Sequence, residues 1–330
     1  MKKRLLAIFL TVLLCLTFFG CTEEPAETQP PTEAPTEAPT DLPATGGSTP
    51  LLYKVTDGDG DVVWLFGSIH VGAPDYYPLP DYVMDAFNGS DALAVEADIV
   101  AAEENPYELA GAMAKMLYAD GTTIADHISP ELYKKAVALL TQEGQYMALI
   151  DLYQPVIWWN LLDNAMLTHS QLDPMLGVDR HMIGLAKESG KELLEVESTQ
   201  FQMEMLGSFS EELQILLLEL TVESYDAIEE TVAELDELAR LWKSGDETAF
   251  EAYLADPDTE ELTEEEKVLY EEYNTAMITN RNLSMAEYAQ ARLEEGKEVF
   301  ICVGAAHVVG EGAMAQLLEQ AGYTVELVTE

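Results

Sequence analysis

The spacing of hydrophobic and polar positions changes several times along this chain, and each change marks an element. Leu51 to Val55 and Val62 to Phe66 are short β-branched runs on either side of Asp57-Gly58-Asp59-Gly60, a sequence suited to a tight turn, so the pattern predicts a β-hairpin. Leu79 to Asn88 has helical spacing, and Ala92 to Glu96 reads as a buried strand that ends on a carboxylate. Pro130 to Met147, Leu152 to Leu167 and Glu211 to Lys243 carry helix-length apolar spacing; in the last, Ile228, Val232, Leu235, Leu238 and Trp242 share one face. Gly177-Val178-Asp179 opens a helix that runs through Ala186, and Lys191 to Glu197 reads as a strand with Glu197 at its end. Thr263 and Glu266 form a capping box that starts a long helix, expected to pass through Asn280-Arg281-Asn282 and end near Gly296. A strand from Val299, a helix over Gly312 to Ala321 with Gly322 as its C′ residue, and a closing strand at Tyr323 to Val328 complete the set. The predicted class is α/β (α+β), with a central mixed sheet, flanking helices and a large helical middle region.

Two of these strands share an ending. VVWLFGSIHVGAP (Val62 to Pro74) and VFICVGAAHVVG (Val299 to Gly310) each run into Gly-x-x-His, with Gly67 and His70 in the first and Gly304 and His307 in the second. A glycine where a strand leaves its sheet lets the backbone turn and approach whatever lies above the strand end. In α/β sheets that crevice is the usual ligand site, so both imidazoles are expected in it. They come from a chain with only five histidines, and drawing two from opposite ends to one place points to a metal or acid/base centre. Glu96, an acid at the end of an apolar strand, needs a partner or a cation and is placed beside them. His127, His169 and His181 lack the Gly-x-x-His setting and are expected to be incidental, while Asp179 and Glu197 are expected to cap or brace the fold.

The N-terminus changes the picture of where the protein works. Lys2, Lys3 and Arg4 precede an apolar run, Leu5 to Phe19, too short to span a bilayer but suited to a secretory signal. Residues 1–20 are read as that signal, and Phe18-Phe19-Gly20-Cys21 resembles a bacterial lipoprotein processing site, with Cys21 as the diacylated first residue of the mature chain. Residues 21–50, rich in Thr, Pro, Glu and Ala, are read as an extended, disordered tether. Residues 51–330 form the expected catalytic domain. It carries 13 basic and 55 acidic residues, a net charge near −42, which excludes nucleic acid as a partner and suits cationic ligands. Cys302, in a predicted buried strand, is the one cysteine beyond Cys21, so neither an internal disulfide nor a cysteine metal site is expected.

WLFGSIH, ALAVEAD, GVDRHMIGLAKESGKELLEVESTQFQ, an Arg-Asn pair within a helix, and FICVGAAHVVGEGAMAQLLEQAGYTVELV together resemble the TraB/GumN family, which includes the Tiki-type metalloproteases. The likeness covers nearly all of Leu51 to Val328. It implies an erythromycin-esterase/ChaN-like fold in which the motifs of His70 and His307 flank a metal site, Glu96 is the acid after the second strand, and Arg281 and Asn282 are the Arg-Asn pair. Glu197-Ser198 and Gln202 match a further pattern of the family. One departure is Val308, where many relatives carry leucine. Two imidazoles and a carboxylate with open positions suffice for Mn²⁺, Co²⁺ or Zn²⁺, and the Arg281 guanidinium suits an oxyanion or a substrate carboxylate, or else a helix-surface ion pair. Two functions follow as expectations: a surface-anchored metal-dependent hydrolase, a peptidase on peptides or another small substrate with cationic ones favoured, or a lipoprotein that binds such a ligand without turnover. Contact with the membrane is expected through the lipid alone.

Overall fold

The computed structural model describes residues 47–105, 107–255, 259 and 262–329. The signal, Cys21 and most of the tether lie outside the described residues.

Strand β1 (Leu52–Thr56) turns into β2 (Val62–Ser68) as the sequence predicts. The turn is closed by Asp57, whose Oδ1 accepts from the backbone N–H of Asp59, Gly60 and Asp61 at 2.8–2.9 Å, with Gly60 at φ 95°. Helix α1 (Asp81–Gly89) leads to β3 (Ala92–Val95), and β4 (Glu192–Glu195), β5 (Val299–Gly304) and β6 (Thr324–Val328) complete a six-stranded sheet of order β4-β3-β5-β2-β1-β6. Strands β4, β3, β5 and β2 are parallel, while β1 is antiparallel to both β2 and β6. The fold is therefore an α/β mixed sheet in a largely helical protein. The inner parallel strands β3, β5 and β2 are largely buried apolar runs, as strands covered on both faces require, while β4 at the edge keeps Glu192 and Glu195 exposed. On one face Phe87 of α1 meets Phe300 edge-on, centroids 5.8 Å apart.

Helices α2 (Ile99–Glu104), α3 (Tyr107–Ala114), α4 (Pro130–Gln142) and α5 (Pro155–Leu167) follow β3; α6 (Val178–Ser189) leads into β4, and α7 (Thr199–Gly207) leaves it. The long helix expected from Glu211 to Lys243 is two: α8 (Glu211–Tyr225) and α9 (Ile228–Ser244), broken at Ala227 with φ −136°. Packing explains the break. Leu213, Leu217 and Thr221 of α8 are buried in the helical region beside α5, whereas the α9 stripe carries Trp242 over the end of β2; one straight rod cannot serve both. After α10 (Glu247–Leu254), the expected capping box starts α11 (Glu264–Asn274), with Thr263 N–H on Glu266 Oε2 at 2.7 Å. The rod then widens into a π-helical turn at Thr275–Thr279 before α12 (Asn280–Glu294). His307 does not close a strand: β5 ends at Gly304 and His307 sits on a single helical turn, α13 (Ala305–Val308), ahead of α14 (Met314–Gln320). Among the described residues no helix is long and apolar enough to cross a membrane.

Candidate functional site

Parallel pairing aligns the two glycine motifs, because Ser68 at the end of β2 lies opposite Gly304 at the end of β5. Both glycines are set by close approach. A Cβ at Gly67 would stand 3.0 Å from Cα and Cβ of Ala305, so any larger residue would press β2 against α13. A Cβ at Gly304 would stand 3.2 Å from Glu96 Oε1, 3.6 Å from the His307 ring and 4.0 Å from His70 Nε2. That notch is where His70, Glu96 and His307 converge, from the ends of β2, β3 and β5.

Each member is held from behind. His70 Nδ1 faces Asp179 Oδ2 at 3.1 Å; Asp179 lies in the first turn of α6, which is docked by the Val178 N–H on the Ile69 carbonyl at 2.9 Å. His307 Nδ1 faces Asn282 Oδ1 at 2.7 Å, and the Asn282 amide donates to the Gly312 carbonyl at 2.9 Å. Glu96 Oε1 accepts from the Gly304 N–H at 2.6 Å; its Oε2 accepts from Arg281 at 2.6 Å and from Gln202 Nε2 at 3.2 Å. Arg281 also donates to both oxygens of Glu197 at 2.9 Å and to the Met277 carbonyl, on the π turn, at 3.2 Å. Arg281 is 3% exposed, so it is not a surface ion pair; its Nε and Nη2 donate to Glu96 and Glu197 in the interior. Arg281 positions Glu96.

The charges in this group hold one another in place. Burial alone would raise the Glu96 carboxyl, but Arg281, then His307, His70 and the Gly304 N–H, outweigh it and hold Glu96 well below the usual carboxylate range. Burial would lower His70; the Asp179 carboxylate overrides it and raises the imidazole to about 9, with Glu96 adding to the effect. His307 goes the other way, lowered to about 3 by burial and then by Arg281, so it is neutral with Nε2 3.9 Å from Glu96 Oε1. The protein thus places an imidazolium and a neutral imidazole on either side of one ionised carboxylate. Among the described residues no three His, Cys, Asp or Glu donors stand close enough together to be a ready-made metal site.

Over the notch lies an apolar roof of Leu238, Trp242, Phe250 and Leu254, leaving about 20 Å³, room for about one water. Trp242 is pinned by its indole N–H on the Gly67 carbonyl at 2.8 Å.

Of the expected site residues, the structure gathers His70, His307, Glu96, Arg281 and Asn282 in one place, with Gly67 and Gly304 beneath them. Asp179 and Glu197, expected to brace the fold, brace the site instead. For Glu197 the signal was present, since KELLEVE ends on a carboxylate as ALAVE does, and the Glu197 N–H on the Glu96 carbonyl at 2.9 Å puts the two strand ends side by side. His127 stacks on Tyr118 at 3.9 Å, His169 meets Glu143 at 3.2 Å and His181 packs on Tyr77 at 4.2 Å, each apart from the notch.

A mixed α/β sheet with two Gly-x-x-His loops at adjacent parallel strand ends defines a class of crevice protein. The family model described as TraB/PrgY/gumN matches residues 51–327, and the chain belongs to that family. It is similar to the uncharacterized protein YbaP of Escherichia coli (strain K12), 26% identical over 257 residues that cover 77% of this chain and 86% of that protein. The same figures hold for the uncharacterized protein YbaP of Shigella flexneri. No solved structure matches.

Proposed function

We propose that this protein is a metal-dependent hydrolase, a peptidase, with its centre at His70, Glu96 and His307. The observation that carries the reading is the bracing of the two imidazoles. Each turns Nδ1 to an oxygen, Asp179 at 3.1 Å and Asn282 at 2.7 Å, which directs the Nε2 edges toward Glu96 above the Gly304 notch. Metal-binding histidines are oriented in this way. The donor chemistry therefore fits a divalent ion such as Mn²⁺, Co²⁺ or Zn²⁺, held by His70, His307 and Glu96, although the side chains stand wider apart than bonded ligands. Such an ion would supply Lewis acidity and a water of lowered pKa. The chain's own contribution is clear: Arg281 and Gln202 fix Glu96 in its ionised form, Asn282 fixes the tautomer of His307, and the roof excludes bulk water. His70, held protonated by Asp179, would have to give up that proton to act as a ligand.

A second reading is a lipoprotein that binds a peptide or small ligand without turnover, and the wide donor spacing favours it. In either case we propose that the protein is secreted and held on the outer face of the bacterial membrane through Cys21. The deciding measurement is metal content by mass spectrometry, with the thermal shift on adding Mn²⁺, Co²⁺ or Zn²⁺ to chelator-stripped protein. Wild type and His127→Ala should respond, and His70→Ala and His307→Ala should not; a hundredfold excess over Kd stabilises by about 2.7 kcal/mol. Equal responses from all four proteins would leave the binding lipoprotein as the better account.

A further inference from the structure

The space over the catalytic notch takes about one water, so a substrate must be held elsewhere. Directly beside it runs a groove of about 980 Å³, the size of a ligand cleft. It is lined by the half-buried Val325 and Leu327 of β6 and by Glu247, Glu251, Glu311 and Glu319. No lysine, arginine or histidine is among the described residues that line it. Leu254 and Ala306 belong to both spaces, so the groove and the notch are separated by those two side chains, and Ala306 is next in sequence to His307.

We propose that this groove is the substrate cleft and that it takes an extended peptide segment in which aliphatic residues alternate with lysine or arginine. The inference rests on the hydrolytic reading of the site. Two features identify the occupant. Val325 and Leu327 bury apolar side chains, and the four carboxylates with no facing cation make a concave surface of one sign, where field lines from partly low-dielectric walls add. Glu247 already accepts from the Tyr53 hydroxyl, and an acidic or neutral polar segment would leave Glu251, Glu311 and Glu319 uncompensated on losing water. A segment lying along β6 would bring one peptide group past Leu254 and Ala306 to the His307 edge, with its cationic side chains on Glu311, Glu319 and Glu251.

Fluorescence anisotropy tests this on the full chain with chelator present, so that no turnover contributes. The probe is a fluorescein-labelled hexapeptide of alternating leucine and lysine, with a leucine and glutamate hexapeptide as its counterpart. The double variant Glu311→Gln/Glu319→Gln, both exposed and without a role in the core, should weaken binding about tenfold. Glu212→Gln/Glu223→Gln, an equal charge change on exposed positions of α8, should weaken it less than twofold. Equal losses in the two double variants would show attraction to the acidic surface as a whole and would overturn the proposal, as would equal binding of the acidic hexapeptide. A failure of the hydrolytic reading is seen separately, in the metal response of the histidine variants, and leaves the binding result intact.

Discussion

Asp163 offers a direct measurement of what burial costs this fold. It lies on α5 with no exposed surface; its Oδ1 accepts from Thr221 Oγ1 of α8 at 2.8 Å, and its Oδ2 has no hydrogen-bond partner. Burial, opposed only in part by Thr221 and the neighbouring Trp159, pushes its carboxyl from 3.8 up to about 7. The sign of the linkage follows. Between the two values the folded protein holds a proton that the unfolded chain has released, so stability falls as pH rises from about 4 to about 7 and is level above that. At 1.36 kcal/mol per unit, the difference of about three units amounts to roughly 4 kcal/mol. Asp163→Asn keeps the acceptor for Thr221 and cannot ionise. Its new N–H₂ meets the place where Oδ2 stands unpaired, at a cost of about 1–3 kcal/mol. Above pH 7.5 the variant should therefore be the more stable protein by about 1–3 kcal/mol, and near pH 4.5, where the wild type has lost only about 1 kcal/mol of the linkage term, the less stable by up to about 2 kcal/mol. Urea denaturation of both proteins from pH 4.5 to 8.5 gives the difference directly and cancels the many surface carboxylates common to both. A difference that stays constant within about 0.5 kcal/mol across that range would refute the assignment of a raised pKa to Asp163.

Two further outcomes probe the notch. Gly304→Ala adds a methyl 3.2 Å from Glu96 Oε1 and 3.6 Å from the His307 ring, so it should cost only about 1 kcal/mol in urea denaturation yet abolish the thermal response to metal; a response equal to wild type would place the centre elsewhere. Arg281→Lys keeps the charge and loses the fork that spans Glu96 and Glu197, so it should destabilise by about 2–4 kcal/mol, and an unchanged denaturation midpoint would mean that the buried pair contributes little.

The sheet was legible because its signals are local. Short β-branched runs, the Asp-Gly turn and the capping box each act within a few residues, and every predicted strand appears within two residues of its place. The breaks in long helices were not legible, because nothing in Ser224 to Ile228 interrupts a helical pattern; the bend arises from which side of the core α8 and α9 must each cover. The π turn before Arg281 is of the same kind. That turn holds one residue more than an α-turn, and the Met277 carbonyl accepts from the Arg281 side chain.

At the site, the two histidines, Glu96 and the Arg-Asn pair could be read, whereas the pairings made by Asp179, Glu197 and Gln202 could not, and the reason is physical. Gly-x-x-His is visible because a glycine at a strand end and an imidazole three residues on are both demanded by one short piece of backbone. Asp179, Glu197 and Gln202 are tied to the site only through space, over 109, 84 and 106 residues from His70, Arg281 and Glu96 respectively. Gln202 donates a hydrogen bond to Glu96, and the roles of the two acids follow from charge. Placing His70, Arg281 and Glu96 out of water leaves two cations around one anion, and Asp179 behind His70 and Glu197 behind Arg281 reverse that excess to one net negative charge. The same count bears on chemistry. With Arg281 already satisfied by Glu96 and Glu197, the proton on His70 is the positive charge that can leave the group, and a divalent ion entering between His70, Glu96 and His307 would take its place without stranding any of the three carboxylates.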